Sequence, residues 1–302
     1  MSKILRKKPK VIILLGPTAS GKTALSISLA KKIGGEVVSA DSRQVYLGLN
    51  LGTGKVTKVE MAGVSHHLLD IARPSQVYTA SHFVKDARAA IADIRSRGKV
   101  PIICGGTGFY IDTLLGRMSI PEAPPNKTLR KVLAKKTAPQ LFLMLKKLDS
   151  RRAKTIDRHN PVRLIRAIEI AKALGKVPKK KSAELYNALL IGLTLPQEKL
   201  NNNIHTRLLS RIKVGMLREA KKLHEKGLSW KRMEELGLEY RYMARHLQGK
   251  ITKQEMLAKL EAEIIKYSKR QLTWFRHHKD VHWLNPKENK KLKVLAVQFL
   301  KG

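Results

Sequence analysis

The eight residues Gly16-Pro17-Thr18-Ala19-Ser20-Gly21-Lys22-Thr23 constrain this chain more than any other stretch. They satisfy G-x-x-x-x-G-K-[ST] in full, and they follow the apolar run Val11-Ile12-Ile13-Leu14-Leu15. An unbroken aliphatic run of that length reads as a strand buried on both faces. Leu25, Ile27, Leu29, Ala30 and Ile33 come next as the apolar residues of a helix. Strand, Gly-rich turn and helix in that order bring successive backbone N–H groups and the positive end of a helix to one point, which suits a polyphosphate. Lys22 can reach terminal phosphates, and the Thr23 hydroxyl can sit on Mg²⁺. The motif is common to nucleotide-binding and ATP-binding loops. It specifies neither ATP nor a kinase.

Charge narrows the partner. The chain carries 61 Lys+Arg against 23 Asp+Glu, a formal charge of +38 over 302 residues. Such an excess repels itself unless polyanions or salt offset it. It suits a nucleic acid, whose phosphates release counterions on contact with cationic side chains. An apolar content of 43% is ample for a folded core, so a disordered basic tail is excluded. The single cysteine, Cys104, sits in the apolar run Val100-Pro101-Ile102-Ile103-Cys104 and reads as a buried strand residue. One cysteine cannot form an intrachain disulfide or a thiolate-rich zinc site. The apolar run after the basic N-terminus is too short for a signal peptide or a membrane span. A cytoplasmic, non-membrane protein is therefore expected, with Ser2 to Lys10 as a frayed basic arm.

Strands alternate with helices through the first half. Glu36-Val37-Val38-Ser39 reads as a second strand, Thr79 to Arg97 as a helix, and 100–104 as another buried strand. Gly105-Gly106-Thr107-Gly108 then turns into a helix containing Tyr110, Ile111 and Leu114. This alternation implies a mostly parallel sheet with its crevice at the carboxyl ends of the strands. Asp41 and Thr107 both fall just after strands and can face that crevice. Pro121, Pro124 and Pro125 mark a linker, and a basic helical stretch runs from Leu129 to about Leu174. Lys176 to Lys181 forms a second, basic linker, and 189–195 returns to strand character. The fold class is α/β: a P-loop NTPase-like parallel-sheet core with a small all-helical insertion domain. The expected division is 1–117 for the first part of the core, 118–186 for the insertion, and 187–302 for the completion of the core. Trp274, Phe275, Trp283 and Leu284 read as core residues in preference to a platform for RNA bases.

Several motifs together carry a resemblance. Besides Gly16–Thr23 they are Asp41-Ser42-Arg43-Gln44-Val45-Tyr46, His66-His67-Leu68-Leu69-Asp70 and Gly105-Gly106-Thr107-Gly108-Phe109-Tyr110-Ile111. Asn160-Pro161-Val162-Arg163-Leu164-Ile165-Arg166-Ala167-Ile168-Glu169 and Lys269-Arg270-Gln271-Leu272-Thr273-Trp274-Phe275 complete the set. In this order, from residue 11 to residue 284, the chain resembles the tRNA dimethylallyltransferase (isopentenyltransferase) family of bacterial type. The resemblance implies transfer of a dimethylallyl group from dimethylallyl pyrophosphate to N6 of the adenosine at position 37. That base is 3′-adjacent to the anticodon in tRNAs reading codons that begin with U, and the products are N6-isopentenyladenosine and pyrophosphate. It also implies that the P-loop grips a leaving pyrophosphate where other P-loops hold a triphosphate. The partners implied are a tRNA anticodon stem-loop and the allyl pyrophosphate, and the enzyme is expected to act as a monomer.

By the same resemblance, Asp41 matches the family's catalytic base and Thr107 the threonine beside the target amine. Lys22 and the loop amides from Gly16 to Thr23, with Arg207 and Arg270 beside them, match the pyrophosphate site. Thr23 is the metal ligand, for Mg²⁺. Asp41, Ser42, Arg43, Gln44 and Thr107 on the core match tRNA-contacting positions. So do Arg130, Val162, Arg163, Leu164, Ile165 and Arg166 on the insertion. His66, His67 and Asp70 have poor spacing for a closed zinc site and are expected either to support the site residues from behind or to be structural. One stretch departs from the family pattern Arg-x-x-Leu-Tyr-x-Arg-Ile, where this chain has Gln197, Leu200, Asn201, Asn203 and Ile204. Two alternatives share the P-loop: a small-molecule or nucleoside kinase with Asp41 as base, and a non-enzymatic, nucleotide-switched RNA-binding protein. The basicity and the Arg-rich insertion argue against a small soluble acceptor.

Overall fold

The computed structural model describes residues 8–178 and 183–302. The basic arm expected at Ser2 to Lys10 falls largely outside the described residues, as does part of the second linker. Elements run in the order β1 (Lys10–Leu15), α1 (Lys22–Ile33), β2 (Gly35–Ser39), α2 (Lys58–Met61), β3 (His66–His67), α3 (Ala80–Ser96), β4 (Val100–Gly105) and α4 (Gly108–Leu114). Then come α5 (Lys127–Leu133), α6 (Ala138–Leu148), α7 (Ser150–Ala153) and α8 (Pro161–Leu174). The chain continues through β5 (Asn187–Leu193), α9 (Gln197–Val214), α10 (Met216–Glu225), α11 (Trp230–Leu236) and α12 (Leu238–Leu247). It ends with α13 (Lys253–Arg276), β6 (Val281–Leu284) and α14 (Asn289–Lys301). Two compact units result. One joins the chain up to Leu115 with Glu184–Gly302, and the other is Gly116–Ala183.

In the larger unit six strands form one sheet in the order β3-β2-β4-β1-β5-β6, and every neighbouring pair is parallel. β1 lies inside the sheet between β4 and β5, which is why Val11 to Leu15 are apolar at every position and almost fully buried. Alternate residues serve opposite faces. Ile12 and Leu14 join Leu25, Leu29 and Ala30 of α1 and Leu292 and Ala296 of α14 in one core. A second core is built around α9 to α13 and takes in Tyr46, Leu49, Leu208, Met233, Tyr240 and Leu260. Burying a leucine in such a core is worth about 2–5 kcal/mol against alanine. The short strand β6 was not legible as a strand from the sequence. It pairs with β5 through Leu190 to Leu193, leaving Leu284 buried and Trp283 half-buried.

The smaller unit has its own core of Leu133, Leu141, Leu145, Ala153, Leu164, Ala167 and Ile168. Side-chain oxygens begin its helices. Asn126 Oδ1 accepts from the Leu129 amide and Asn160 Oδ1 from the Arg163 amide, each satisfying a first-turn N–H. Pro161 at the first position of α8 needs no donor there.

Candidate active site

β1 delivers the chain into the P-loop at the carboxyl edge of the sheet. Gly16 turns with φ +145°, and a Cβ there would lie 2.8 Å from the carbonyl oxygen of Leu193, so only glycine allows the loop to pass this close to β5. Gly21 opens α1 in the left-handed region with no side-chain cap. The first-turn amides therefore face the site available to an anion. Lys22 Nζ donates to the carbonyl oxygen of Pro17 at 2.5 Å, and the Ser20 hydroxyl donates to the same oxygen at 2.8 Å. Burial lowers the Lys22 ammonium to about 8, against opposing attraction from Asp41.

A cavity of about 420 Å³ opens on this loop. Thr18 to Thr23 line it, together with Asp41, Gln44, Arg207 and Tyr267. Ile27, Val37, Val56, Leu69 and Cys104 give it an apolar wall. Asp41 follows β2, and its Oδ1 accepts from the amides of Arg43 at 2.8 Å and Gln44 at 3.3 Å, an Asx-type turn that fixes the carboxylate. Thr107 stands at the start of α4, and its hydroxyl oxygen accepts from the Ser42 amide at 3.2 Å. That bond ties the Asp41-Ser42-Arg43-Gln44 segment to the turn after β4. Burial first, and then the charge of Asp41, pushes the Tyr267 phenol up to about 12. The Cys104 thiol is also pushed up by burial, which leaves it unreactive.

The two histidines have separate roles. His67 Nε2 pairs with Glu36 Oε2 at 2.8 Å. Glu36 also binds Arg97 and Lys99, and Arg97 above all holds its carboxyl far below the usual range. Asp70 pairs with Lys55 at 2.5 Å. These are structural ion pairs. His66 lines the cavity, with Nδ1 against the Val64 carbonyl at 2.9 Å, and burial lowers its pKa. Among the described residues no group of three His, Cys, Asp or Glu could hold a metal.

The other sequence-derived candidates divide. Arg207 reaches the cavity and donates to the carbonyl oxygen of Gly54 at 3.0 Å. Arg270 does not line the cavity; it is exposed, with its guanidinium 5.8 Å from the ring centre of Tyr267. On α8, Val162 and Arg163 are exposed. Leu164 is fully buried in the helical core, because it falls on the apolar stripe of α8, and Ile165 packs against the same core. Arg130 and Arg166 both bind Glu169.

Three partners were not legible as site residues. Asn203, at a departure from the family pattern, donates to the P-loop carbonyl of Ala19 at 3.2 Å. Arg211 donates to the carbonyls of Leu51 and Gly52 and pairs with Glu239 at 3.3 Å. Glu219 accepts from the amides of Asn50, Leu51 and Gly52 and from the Tyr240 hydroxyl, and so pins the loop that carries Thr53 to the cavity. Each lies on a helix remote in sequence from what it holds, so local spacing carried no sign of it.

Comparison with known proteins agrees with this arrangement. A family profile described as IPP transferase matches residues 44–278. tRNA dimethylallyltransferase 2 of Treponema denticola is 44% identical over 280 residues, covering 90% of this chain and 93% of that protein. The crystal structure of a full-length tRNA isopentenylpyrophosphate transferase from Bacillus halodurans superposes with a TM-score of 0.75 at 33% identity, covering 97% of each chain. A eukaryotic dimethylallyltransferase acting on tRNA gives a TM-score of 0.79 at 26% identity, over 91% of this chain and 73% of that one. With a P-loop, an Asp41 turn and a Thr107 turn on one parallel sheet, and relatives matched over nearly its whole length, this chain belongs to the IPP transferase family, the tRNA dimethylallyltransferases.

Proposed function

We propose that this enzyme transfers a dimethylallyl group from dimethylallyl pyrophosphate to N6 of adenosine 37 in tRNAs reading codons that begin with U. The products are N6-isopentenyladenosine and pyrophosphate. The observation that carries this reading is a single cavity lined by a P-loop, by a fixed carboxylate, Asp41, and by an aliphatic wall. A kinase acceptor site has no need of that wall, whereas a five-carbon allyl group does.

The adenine amine is a weak nucleophile, because its lone pair is delocalised into the ring. As its nitrogen bonds to C1 of the donor, the C1–O bond breaks and the electron pair leaves with pyrophosphate. Asp41 takes the N6 proton, the task of a positioned general base. Thr107 holds the amine beside Asp41. Lys22, the loop amides and Arg207 stabilise the charge that develops on the leaving group. Family membership implies a divalent-cation-dependent transfer. The hard oxygen of the exposed Thr23 hydroxyl, at the head of α1, suits Mg²⁺ shared with the pyrophosphate. When bound, the ion neutralises charge on that leaving group.

Ser42, Arg43 and Gln44 are placed to meet the target base and its neighbours. An unpaired loop adenosine leaves its stack at low cost, which suits an anticodon loop. The insertion, 118–186, supplies tRNA affinity through exposed cations such as Arg163. No helix among the described residues is long and apolar enough to cross a membrane. We place the enzyme in the cytoplasm as a monomer. The test is mass analysis of nucleosides from tRNA incubated with the protein, Mg²⁺ and dimethylallyl pyrophosphate, without ATP. N6-isopentenyladenosine must appear. No prenylated base there, with phosphoryl transfer in a parallel reaction supplied with ATP, would establish the kinase reading instead.

A further inference from the structure

Gln271 joins the two halves of this chemistry. Its side chain is buried on α13. Oε1 accepts from the amide of Thr18, inside the P-loop, at 2.8 Å. Nε2 donates to the carbonyl oxygen of Gly106, next to Thr107, at 2.9 Å. The neighbours on the same helix face continue the contact. Tyr267, one turn earlier, lines the cavity, and Trp274, one turn later, donates to Asp112 of α4 at 2.8 Å. The helix lies directly on the turn after β4: a Cβ on Gly106 would come 2.1 Å from Gln271 Nε2.

A primary amide satisfies both partners at once at any pH. It accepts from an N–H on one side and donates to a C=O on the other. A carboxylate can accept from Thr18 but repels the Gly106 carbonyl. An aliphatic side chain leaves both backbone groups unpaired.

We propose that Gln271 is a positioning residue that fixes the distance between the pyrophosphate on the P-loop and the acceptor amine beside Thr107 and Asp41. The inference rests on the function proposed above. Loosening this spacing opens a competing path. When N6 is out of place, water supplies the lone pair to C1 as the C1–O bond breaks. Pyrophosphate leaves with the bonding pair, the water proton passes to Asp41 or solvent, and dimethylallyl alcohol forms. The partition between prenylated adenosine and alcohol therefore reports the alignment directly.

The experiment compares Gln271→Met and Gln271→Glu with the wild type, measuring both products in the same reactions. For Gln271→Met, single-turnover transfer falls roughly tenfold to hundredfold, the scale of a misplacement of about an ångström. The alcohol formed per transfer rises about fivefold or more, while donor and tRNA dissociation constants change by less than about threefold. For Gln271→Glu the defect is largest near pH 8 and shrinks as pH falls, because the protonated carboxyl donates to Gly106 while still accepting from Thr18. A partition ratio equal to that of the wild type in both variants overturns the proposal. So does a Gln271→Glu profile parallel to that of the wild type. Wild-type protein that releases pyrophosphate without prenylating tRNA would defeat the reading of the activity itself, an outcome distinct from these.

Discussion

Lys22 spends its ammonium on the carbonyl oxygen of Pro17, five residues back in the same loop, over 2.5 Å. A bound pyrophosphate must compete for this proton-rich group, and burial has already lowered its pKa to about 8. Below pH 8 the ligand meets a charged lysine. Above it a growing share of the lysines must take up a proton on binding. Affinity for dimethylallyl pyrophosphate should therefore fall from pH 8 to pH 9.5. Calorimetry in buffers of different ionisation heat should show proton uptake in that range. Lys22→Arg, which stays charged, should flatten the dependence. The stability linkage has the opposite sign. Between about 8 and the ordinary lysine value of about 10.4 the unfolded chain binds more protons, so the ligand-free protein gains stability from this group as pH rises. Binding without proton uptake at pH 9 would rule out the depressed lysine.

The turn-closing contacts of Asp41 and its proposed role as base are separable by the right substitution. Its Oδ1 closes the turn onto Arg43 and Gln44, which an asparagine oxygen does equally well. Only the carboxylate can accept the N6 proton. Asp41→Asn should keep the fold and tRNA affinity while lowering the single-turnover rate about 10²–10⁴-fold. A loss under about threefold would remove Asp41 from the role of base.

The part of this fold that was legible in the sequence is the part written in local pattern. β1, α1, β2, α3, β4 and β5 were each visible because a strand buried on both faces must be apolar throughout and a helix must bury a stripe. β6 is four residues long, and only the Val281 and Leu284 ends are buried, so its pattern is indistinguishable from a turn. The site divides on the same principle. The P-loop, the Asp41 turn and the Thr107 turn are each continuous in sequence. Gln271, Asn203 and Glu219 act on backbone more than 160 residues away, as the Thr18, Ala19 and Gly52 contacts show.

The arginines of the helical unit should separate by what they already hold. Glu169 is buried and binds both Arg130 and Arg166, with the Asn126 amide on the same carboxylate. Burial alone would raise its carboxyl, but these hydrogen bonds override it and bring it down to about 2. A depressed carboxylate stabilises the fold above its ordinary value, and that contribution is lost as pH falls from about 4.5 towards 2. Arg166→Ala should therefore lower the melting temperature, since it strips a partner from a buried charge. Arg163 extends from the exposed side of α8 and carries no such burden. Arg163→Ala should leave melting unchanged while weakening tRNA binding and reducing the log–log salt slope by about one unit per lost phosphate contact. Donor affinity should stay the same in both variants. The measurements are a melting curve, tRNA affinity across a salt series, and donor affinity for each protein. If Arg163→Ala leaves the tRNA salt slope intact while Arg166→Ala reduces it without a change in melting, the assignment is reversed. Arg166 would then be the phosphate contact and its pairing with Glu169 incidental.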